Sequence, residues 1–397
     1  MLFFIELKRL DEIESTQKMT SLEDFLNDKP LYYKEIDYDR MPRTWQKLKK
    51  HFKLPKIIHI VGTNGKGSTG RFLAWHLHKQ GKRVGHYSSP HIMRFNERIW
   101  VDGSDVSDKT LENAHKKLQN LLDDKSSDAL SYFEYTTLLA MVIYEGCEYV
   151  VLEAGLGGEY DATAVFENIL TLCTTIDIDH ESFLGDNITD IATTKLNATQ
   201  KALIVGYQNS NEVLKVAKDI CDKKDAKLLE YEKFKGVSEF IESKNLPEVF
   251  AKNLNLAFLA LKFLGFFPKM DLLSDIKLFG RAQKIAPNIT IDVGHNALAA
   301  LALKEHFKGR EINLIFNTFA DKDYEKTLTI LKPIIQKVLI INVQNQRAES
   351  KAELIFVLNK LGLEYDNFYE CSEDEEYLVF GSFSVVEEFL KQRSDKL

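Results

Sequence analysis

The segment from residue 57 to residue 80 constrains the fold more than any other part of the sequence. It opens with five mostly apolar residues, Ile57-Ile58-His59-Ile60-Val61. A glycine-dense loop follows, Gly62-Thr63-Asn64-Gly65-Lys66-Gly67-Ser68, and a helical pattern then runs to about Gln80. In such a unit, backbone N–H groups and the positive end of the helix dipole converge on an anion. The segment therefore predicts a strand, a phosphate-binding turn and a helix N-terminus.

The residues of this loop suit a nucleotide. Three glycines would let the backbone approach phosphate oxygens without a Cβ in the way, namely Gly62, Gly65 and Gly67. Lys66 would reach the outer phosphates, and the hydroxyl of Ser68 or Thr69 would face Mg²⁺. The match to G-x-x-x-x-G-K-[ST] is incomplete, because Ile60 occupies the first glycine position. An ordinary glycine turn is the alternative, and we favour the nucleotide site.

Strands and helices alternate along the rest of the chain. The predicted strands lie at 57–61, 83–87, 149–152, 169–176, 202–205, 289–292, 312–316, 338–343 and 377–380. Alternation of this kind predicts an α/β fold with parallel, doubly wound sheets. A second series of alternating strands and helices begins near Arg281. We therefore predict a nucleotide-binding domain over residues 1–275 and a smaller α/β domain over residues 281–397.

Composition limits the class of protein. A chain of 397 residues is long enough for two or three domains. The net charge of −7 argues against a general nucleic-acid binder, and no stretch approaches the ~18 apolar residues of a membrane span. The four cysteines are scattered without a CxxC pair, which favours reduced thiols over disulfides or zinc ligands. Since Leu2-Phe3-Phe4-Ile5 is too short for a signal segment, we expect a cytoplasmic protein.

Acidic and imidazole groups follow predicted strands at the same edge as the phosphate loop. Glu153 ends one strand, and Asp177-Ile178-Asp179-His180 follows the next. An ionised Glu153 one strand away from the loop suits Mg²⁺, which prefers oxygen ligands. The alternative is a carboxylate that caps a helix or a turn, and the glycines after Glu153 favour the metal site. His180 taken alone is more typical of a structural histidine.

A series of short motifs nearly spans the chain. In order, the motifs are Gly62-Thr63-Asn64-Gly65-Lys66-Gly67-Ser68, Tyr87-Ser88-Ser89-Pro90-His91, Phe95-Asn96-Glu97-Arg98, Tyr132-Phe133-Glu134-Tyr135, Glu153 through Asp161-Ala162-Thr163, Asp179-His180 with Leu184-Gly185, Asp292 with His295-Asn296, Asp321-Lys322-Asp323 and Phe380-Gly381-Ser382-Phe383. Their identity and order resemble the folylpolyglutamate synthase/dihydrofolate synthase family of the Mur ligase superfamily.

The resemblance implies a fold and an activity. The fold is a P-loop domain of the Mur ligase central-domain type, with a mostly parallel doubly wound sheet, followed by a smaller Rossmann-like ligase domain. The activity is ATP-dependent amide formation. The substrate carboxylate attacks ATP to give an acyl phosphate and ADP, and the amino group of L-glutamate then displaces phosphate. Dihydropteroate as acceptor gives dihydrofolate, whereas a folate acceptor gives the γ-linked polyglutamate.

The resemblance also implies roles for individual residues. ATP contacts would come from Thr63, Asn64, Gly65, Lys66, Gly67, Ser68, Asn255, Arg281 and Asp292. Ligands of two Mg²⁺ ions would be Ser89, Glu153, His180 and, if its amine is carbamylated, Lys195. The pteroate site would be lined by Ser131, Tyr132, Phe133, Glu134, Tyr160, Asp161 and Ala162. Catalytic roles fall to Lys66, His180, Lys195 and His295, the last near the incoming glutamate.

The chain departs from the family pattern at a few positions. Glu159 replaces the usual basic residue after the paired glycines, Ala164 replaces an asparagine, and Ala251-Lys252 replaces a His-Gln pair. The segment around the lysine is Thr194-Lys195-Leu196-Asn197-Ala198 instead of Glu-Lys-Ala-Gly-Ile. These changes bear on folate binding and on the lysine modification rather than on the ATP chemistry.

Two other functions are compatible with parts of the sequence. A Mur-type cell-wall ligase would add an amino acid to a UDP-muramoyl precursor, but Ser88-Ser89-Pro90 and Phe95-Asn96-Glu97-Arg98 favour a folate. A P-loop switch without ligase activity would not need a second α/β domain with Asp292 and His295. We therefore expect a monomeric ligase whose partners are small molecules, with neither nucleic acid nor a membrane.

Overall fold

The computed structural model describes residues 20–30, 37–178 and 184–394, so the predicted site residue His180 lies outside the described residues. The chain divides into two compact units. The first combines Met1–Lys53 with Val106–Glu145, and the second combines Leu54–Asp105 with Gly146–Leu397. The predicted domain boundary at residues 275–281 falls inside the second unit and stays a prediction.

The first unit is helical within its described residues. Its α-helices are Leu22–Asn27, Arg40–Leu48, Asp108–Leu121, Asp124–Ala129 and Tyr132–Ile143. The last helix begins with a capping box, in which the Glu134 N–H donates to Ser131 Oγ at 3.3 Å and the Ser131 N–H donates to Glu134 Oε2 at 2.8 Å. The same carboxylate accepts from Arg40 Nε at 2.8 Å. Glu134 thus sets where this helix begins and joins it to Arg40.

The second unit contains an eight-stranded sheet. Its strands are β1 (Lys56–Val61), β2 (Val84–Tyr87), β3 (Ile99–Val101), β4 (Ser104–Asp105), β5 (Tyr149–Glu153), β6 (Asn168–Cys173), β7 (Ala202–Val205) and β8 (Lys227–Glu230). They lie in the order β4-β3-β2-β5-β1-β6-β7-β8. Neighbours from β2 to β8 are parallel, whereas β3 and β4 form an antiparallel edge. The phosphate loop therefore follows a strand with a parallel neighbour on each side.

The second unit also contains a six-stranded sheet. Its strands are β9 (Gln283–Ala286), β10 (Ile289–Ile291), β11 (Ile312–Phe316), β12 (Ile335–Ile340), β13 (Tyr365–Asn367) and β14 (Tyr377–Phe380). They lie in the order β13-β12-β11-β14-β10-β9, and only β9 is antiparallel to its neighbour. Its helices are Ala297–His306, Tyr324–Leu331, Lys351–Leu361 and Phe383–Ser394. The sheet alternates strands with helices, as the sequence predicts.

Helices cover both faces of the first sheet, which explains why its central strands are apolar along their length. On one face, the helix Lys66–Lys79 packs against the helix Val249–Phe263. On the other face, the helices Ile188–Leu196 and Asn211–Lys224 cover buried Leu203. The predicted doubly wound α/β fold is confirmed. Within the described ranges, no helix combines the length and the apolar character needed to cross a membrane.

The structure differs from the predicted strands at their ends and at the sheet edges. β6 ends at Cys173 rather than at residue 176, because Thr175 O accepts the N–H groups of Thr63 (3.0 Å) and Asn64 (3.2 Å). β12 lies at Ile335–Ile340 rather than at 338–343. The sequence analysis does not predict β3, β4, β8, β9 or β13, which are short strands at or next to the edge of a sheet.

One helix–strand contact on the first sheet leaves no room for a side chain. Gly70 lies in the helix Lys66–Lys79, and a Cβ at this position would be 2.4 Å from Nε2 of His86 on β2. His86 is 1% exposed, and burial, together with the charge of Arg71, holds its pKa well below the ordinary value. A neutral imidazole therefore fills the space next to Gly70.

Gly70→Ala should lower the thermal midpoint of unfolding, because the added methyl group must displace the His86 ring. Overpacking of this kind typically costs about 1–3 kcal/mol. His86→Ala in the same chain should restore part of the loss, which thermal unfolding of both single variants and the double variant measures. A double variant whose loss equals the sum of the single losses would contradict this contact as the cause.

Candidate active site

The phosphate loop after β1 adopts a backbone conformation that favours glycine. Gly62 has a φ of 140° and Gly65 a φ of 90°. A Cβ on Gly65 would also lie 2.4 Å from Asn253 Oδ1. The helix Lys66–Lys79 begins directly after Gly65, so its unpaired N-terminal N–H groups are available to an anion. The local geometry is that of a phosphate-binding site.

Two lysines converge on one carbonyl of this loop. Lys66 Nζ donates to Gly62 O at 3.1 Å and to Thr63 O at 3.4 Å. Lys195 Nζ, from the last turn of the helix Ile188–Leu196, donates to the same Gly62 O at 3.1 Å. Lys195 is only 4% exposed. The structure thus brings together two predicted site residues that are far apart in sequence.

The helix Val249–Phe263 contacts the phosphate loop through Asn253. The Nδ2 of Asn253 donates to Ser68 Oγ at 2.8 Å. Asn255, which the resemblance assigns to ATP, accepts from the Phe234 N–H at 2.8 Å and donates to Tyr231 OH at 2.9 Å. Positions two apart on an α-helix differ by about 200°, so the two side chains leave the helix on opposite sides. Sequence reasoning missed Asn253, and the ATP contact of Asn255 stays a prediction.

Glu153 ends β5 beside the phosphate loop and is 4% exposed. The Ser89 N–H donates to its carboxylate. A Cβ on Gly67 would lie 3.3 Å from Glu153 Oε2 and 3.6 Å from Arg281 Nη2, so both groups face the same part of the loop. Burial raises the pKa of Glu153, while Lys66, Arg281 and the Ser89 N–H act in the opposite direction. A buried carboxylate flanked by cations is typical of a functional site.

The oxygen groups near the loop fit a magnesium ion. Glu153 contributes a buried carboxylate and Ser68 a buried hydroxyl, and Ser89, whose N–H meets Glu153, carries a second hydroxyl; these are the hard oxygen ligands that Mg²⁺ prefers. Within the described residues, no group of three or more His, Cys, Asp or Glu side chains could hold a metal ion. His180, the predicted imidazole ligand, is not among those residues. The full metal-binding set therefore stays a prediction.

Asp161 folds the glycine-rich segment that follows Glu153. Its carboxylate accepts from the N–H groups of Leu156 and Thr163 at 2.9 Å each, and from Thr163 Oγ1 at 2.5 Å. Thr163 Oγ1 also lies 2.7 Å from Nε2 of His59, whose pKa burial lowers to about 4. Burial raises the pKa of Asp161, and these hydrogen bonds oppose the shift. Asp161 therefore positions the backbone of its own loop.

The residues predicted for the pteroate site lie in both compact units. The first unit holds Ser131, Tyr132, Phe133 and Glu134, and the second holds Tyr160, Asp161 and Ala162. Tyr160 is 61% exposed, whereas Ala162 is buried. Glu159 is exposed, and its Oε2 accepts from Asn197 Nδ2 at 2.8 Å. The assignment of these residues to a pteroate stays a prediction.

Arg281 precedes β9 of the second sheet, and Asp292 directly follows β10. The Asp292 carboxylate accepts from the N–H groups of Ala282 (2.8 Å) and Gly294 (2.7 Å). Burial raises the pKa of Asp292, and the charge of Arg281 opposes the shift. The guanidinium carbon of Arg281 lies 5.3 Å from the centre of the Phe383 ring. The Phe383 ring and the carboxylates of Glu153 and Asp292 thus stabilise the Arg281 guanidinium near the phosphate loop.

The turn after β10 also contacts the phosphate loop. His295 Nδ1 lies 3.2 Å from Val293 O. The neighbouring Asn296 exchanges two side-chain hydrogen bonds with Asn64 of the phosphate loop. The turn that contains the predicted catalytic His295 is therefore attached to the loop that contains Lys66.

The loop after β2 contains Ser89 and is folded by Glu97. The Glu97 carboxylate accepts from the N–H groups of Ile92 (2.7 Å), Met93 (2.8 Å) and Arg94 (2.8 Å). A carboxylate that accepts three backbone N–H groups holds its turn firmly. Glu97, part of a motif on which the resemblance rests, thus has a structural function in this loop.

Comparisons with curated proteins and with solved structures identify the same kind of protein. No family model matches the chain. The chain is 30% identical to dihydrofolate synthase/folylpolyglutamate synthase of Haemophilus influenzae, over 90% of this chain and 94% of that protein. The structure is similar to folylpolyglutamate synthetase of Helicobacter pylori, with 42% identity and a TM-score of 0.78, over 94% of this chain and 98% of that one. It is also similar to Escherichia coli FolC in complex with DHPP and ADP, with 25% identity and a TM-score of 0.82, over 96% and 100% of the chains.

Glu153→Gln should raise the thermal midpoint of the ligand-free protein at neutral pH while it abolishes ADP formation. Burial raises the pKa of Glu153 above its ordinary value of 4.5. Protonated Glu153 therefore contributes to the free energy of unfolding, and this contribution is lost as the pH rises through the raised pKa. Glutamine never ionises, so the advantage of the variant should shrink as the pH falls toward about 4.5. Thermal unfolding between about pH 5 and pH 8 measures this.

Glu148→Gln, just before the same strand, is the matched control. Glu148 is exposed and accepts from Lys82 Nζ at 3.0 Å, and this hydrogen bond lowers its pKa. The same substitution should therefore lower the midpoint slightly at neutral pH. A destabilising Glu153→Gln, or equal gains in both variants, would contradict burial as the cause of the raised pKa.

Proposed function

The chain belongs to the dihydrofolate synthase/folylpolyglutamate synthase family, and on this premise we propose that its phosphate loop binds the ATP used to join L-glutamate to a pteroate. The enzyme is an ATP-dependent ligase that joins glutamate to folates. Its acceptor is dihydropteroate, the γ-glutamyl chain of tetrahydrofolate, or both. The convergence of Lys66, Glu153 and Arg281 at one loop supports the assignment of residues.

The first chemical step needs positive charge at the γ-phosphate. When the substrate carboxylate attacks, a bond from its oxygen to phosphorus forms, the bond to ADP breaks, and negative charge builds up on the transferred group. Lys66 and Arg281 would neutralise this charge with an ammonium and a planar guanidinium. Mg²⁺, held by Glu153, Ser89 and Ser68, would supply further positive charge there.

The second step forms the amide. The uncharged amino group of L-glutamate attacks the acyl carbon, the C–N bond forms, phosphate leaves, and the nitrogen loses a proton. We assign the incoming glutamate to the turn after β10, because this turn contains His295 and is attached to the phosphate loop through Asn296. The amine is thereby brought to the acyl phosphate from the side of the second sheet.

An activity panel with purified protein, ATP, Mg²⁺ and L-glutamate tests this function. Sustained ADP formation should require both glutamate and an acceptor, either dihydropteroate or tetrahydrofolate, because glutamate must consume each acyl phosphate before the next turnover. Lys66→Ala should abolish ADP formation while the protein still folds, because the partner of the phosphate charge is lost. ADP formed without either substrate would favour a P-loop switch, and a requirement for a UDP-muramoyl acceptor would favour a cell-wall ligase.

We also propose small-molecule partners and a cytoplasmic location. Cys147, Cys173, Cys221 and Cys371 are all free thiols. Burial raises the pKa of Cys173 to about 12, so this thiol stays protonated and inert. Free thiols are the usual state in a reducing compartment. The expected monomeric state stays a prediction.

We further propose that Lys195 carries a carbamate in the active enzyme. Its Nζ and that of Lys66 both lie 3.1 Å from Gly62 O. Two ammonium groups at one carbonyl repel each other, and a carbamate on Lys195 would replace this repulsion by attraction to Lys66. A neutral amine adds CO₂, with loss of a proton, to give a carboxylate-like group. That product is an oxygen ligand of the kind that Mg²⁺ prefers.

Lys195→Ala should abolish activity, and acetate or formate should restore part of it by filling the vacated carboxylate site. Protein incubated with ¹³C-bicarbonate should show a carbamate resonance that both Lys195→Ala and Lys195→Arg lose. A fully active Lys195→Ala would show that the lysine has no catalytic role. An active Lys195→Arg would show that the group works as a cation and would contradict the carbamate.

A further inference from the structure

Two asparagines join the phosphate loop to the second sheet. Asn64 Nδ2 donates to Asn296 Oδ1 at 3.0 Å, and Asn296 Nδ2 donates to Asn64 Oδ1 at 2.7 Å. The two residues are 232 positions apart in sequence. Each carboxamide offers one donor and one acceptor to the other, so the pair fixes the orientation of both side chains.

Asn296 also caps the helix that follows it. Its Oδ1 accepts from the Ala299 N–H at 3.0 Å at the start of the helix Ala297–His306. The cap determines the orientation of the carboxamide, whose Oδ1 also accepts from Asn64 while its Nδ2 donates to Asn64. His295 precedes Asn296 directly. The position of the His295 turn is therefore tied to the position of the phosphate loop.

A second attachment between the same two parts of the molecule is apolar. Ile92, from the loop after β2, is 4% exposed and belongs to the core of the second sheet with Ile291 and Val293. Separating such a contact exposes apolar surface and is costly. The carboxamide pair is only half-buried, and hydrogen bonds of this kind exchange with water at a small net cost. Of the two attachments, the Asn64–Asn296 pair therefore breaks and re-forms at the smaller cost in free energy.

We propose that Asn64 and Asn296 are positioning residues for the ligation step. Their pair holds the His295 turn against the phosphate loop, so that the glutamate amine reaches the acyl phosphate in the right place. Because the two carboxamides are hydrogen-bonded to each other, they would act through the turn and the loop rather than on the substrates. This inference rests on the proposed function, because it needs an acyl phosphate formed at the loop and a glutamate bound at the turn.

Asn296→Ser should remove the contact with Asn64 and keep the helix cap. Serine is a favoured N-cap residue, so it keeps the bond to the Ala299 N–H but cannot reach Asn64. We expect the Michaelis constant for glutamate to rise about tenfold, in keeping with the loss of two partly exposed hydrogen bonds, at an unchanged thermal midpoint. Asn296→Ala should show the same rise in the Michaelis constant together with a lower thermal midpoint. A Ser variant with wild-type glutamate kinetics would overturn the proposal.

Hydroxylamine in place of glutamate distinguishes a loss of glutamate positioning from a loss of acyl phosphate formation. This small nucleophile traps an acyl phosphate without a glutamate site. Asn296→Ser should therefore form the hydroxamate at the wild-type rate. An equal loss with both nucleophiles would overturn the positioning role. If the wild-type enzyme gave no hydroxamate, the acyl phosphate of the proposed function would fail, and this inference with it.

A double-mutant cycle tests whether the two residues act through each other. If the pair is the cause, Asn64→Ser combined with Asn296→Ser should raise the Michaelis constant for glutamate no further than Asn64→Ser alone. Rises that multiply would show that the two asparagines act independently and would overturn the proposal. Asn345→Ser, which removes an exposed amide on the second sheet's side of the molecule, is the matched control and should leave the kinetics unchanged.

Discussion

The burial of charge around the phosphate loop is the constraint on which the rest of the structure depends. Glu153, Asp161 and Asp292 are each at most 8% exposed, and burial raises the pKa of all three. Buried ionised groups are costly unless cations and N–H groups face them. Backbone N–H groups meet each of these carboxylates, and Arg281 faces Glu153 and Asp292. The surrounding apolar core of the two sheets offsets the remaining cost.

Both sheets contribute to this charged site, and the contributions differ in kind. The first sheet supplies the phosphate loop after β1, Ser89 after β2 and Glu153 at the end of β5, since parallel strands end at one edge. The second sheet supplies Arg281, Asp292 and the turn that contains His295. An ATP-binding switch needs only the first set. A ligase also needs a place for the second substrate, and the glutamate site that we propose at the second sheet would account for its attachment to the loop at Asn64.

The motifs predict a candidate site, but they do not determine which partner each side chain meets. The chain contains asparagines at 253 and 255, and helix phase directs Asn253, rather than Asn255, toward Ser68. Asp161 belongs to the motif assigned to a pteroate, yet its carboxylate accepts from its own loop. Glu134 begins a helix and pairs with Arg40 in the same way. Local hydrogen bonds thus occupy several groups that the resemblance assigns to ligands.

The sequence by itself determined the strand, loop and helix at residues 57–80, the alternation of strands and helices, and Glu153 at a strand end. These features follow from apolar periodicity and from glycine placement over a few neighbouring residues, which a sequence displays directly. Only the tertiary structure decided that Lys195 meets the carbonyl of Gly62 and that Asn64 meets Asn296, 232 residues away. Such contacts depend on strand order, helix phase and the packing of separate sheets, and no local pattern records these quantities.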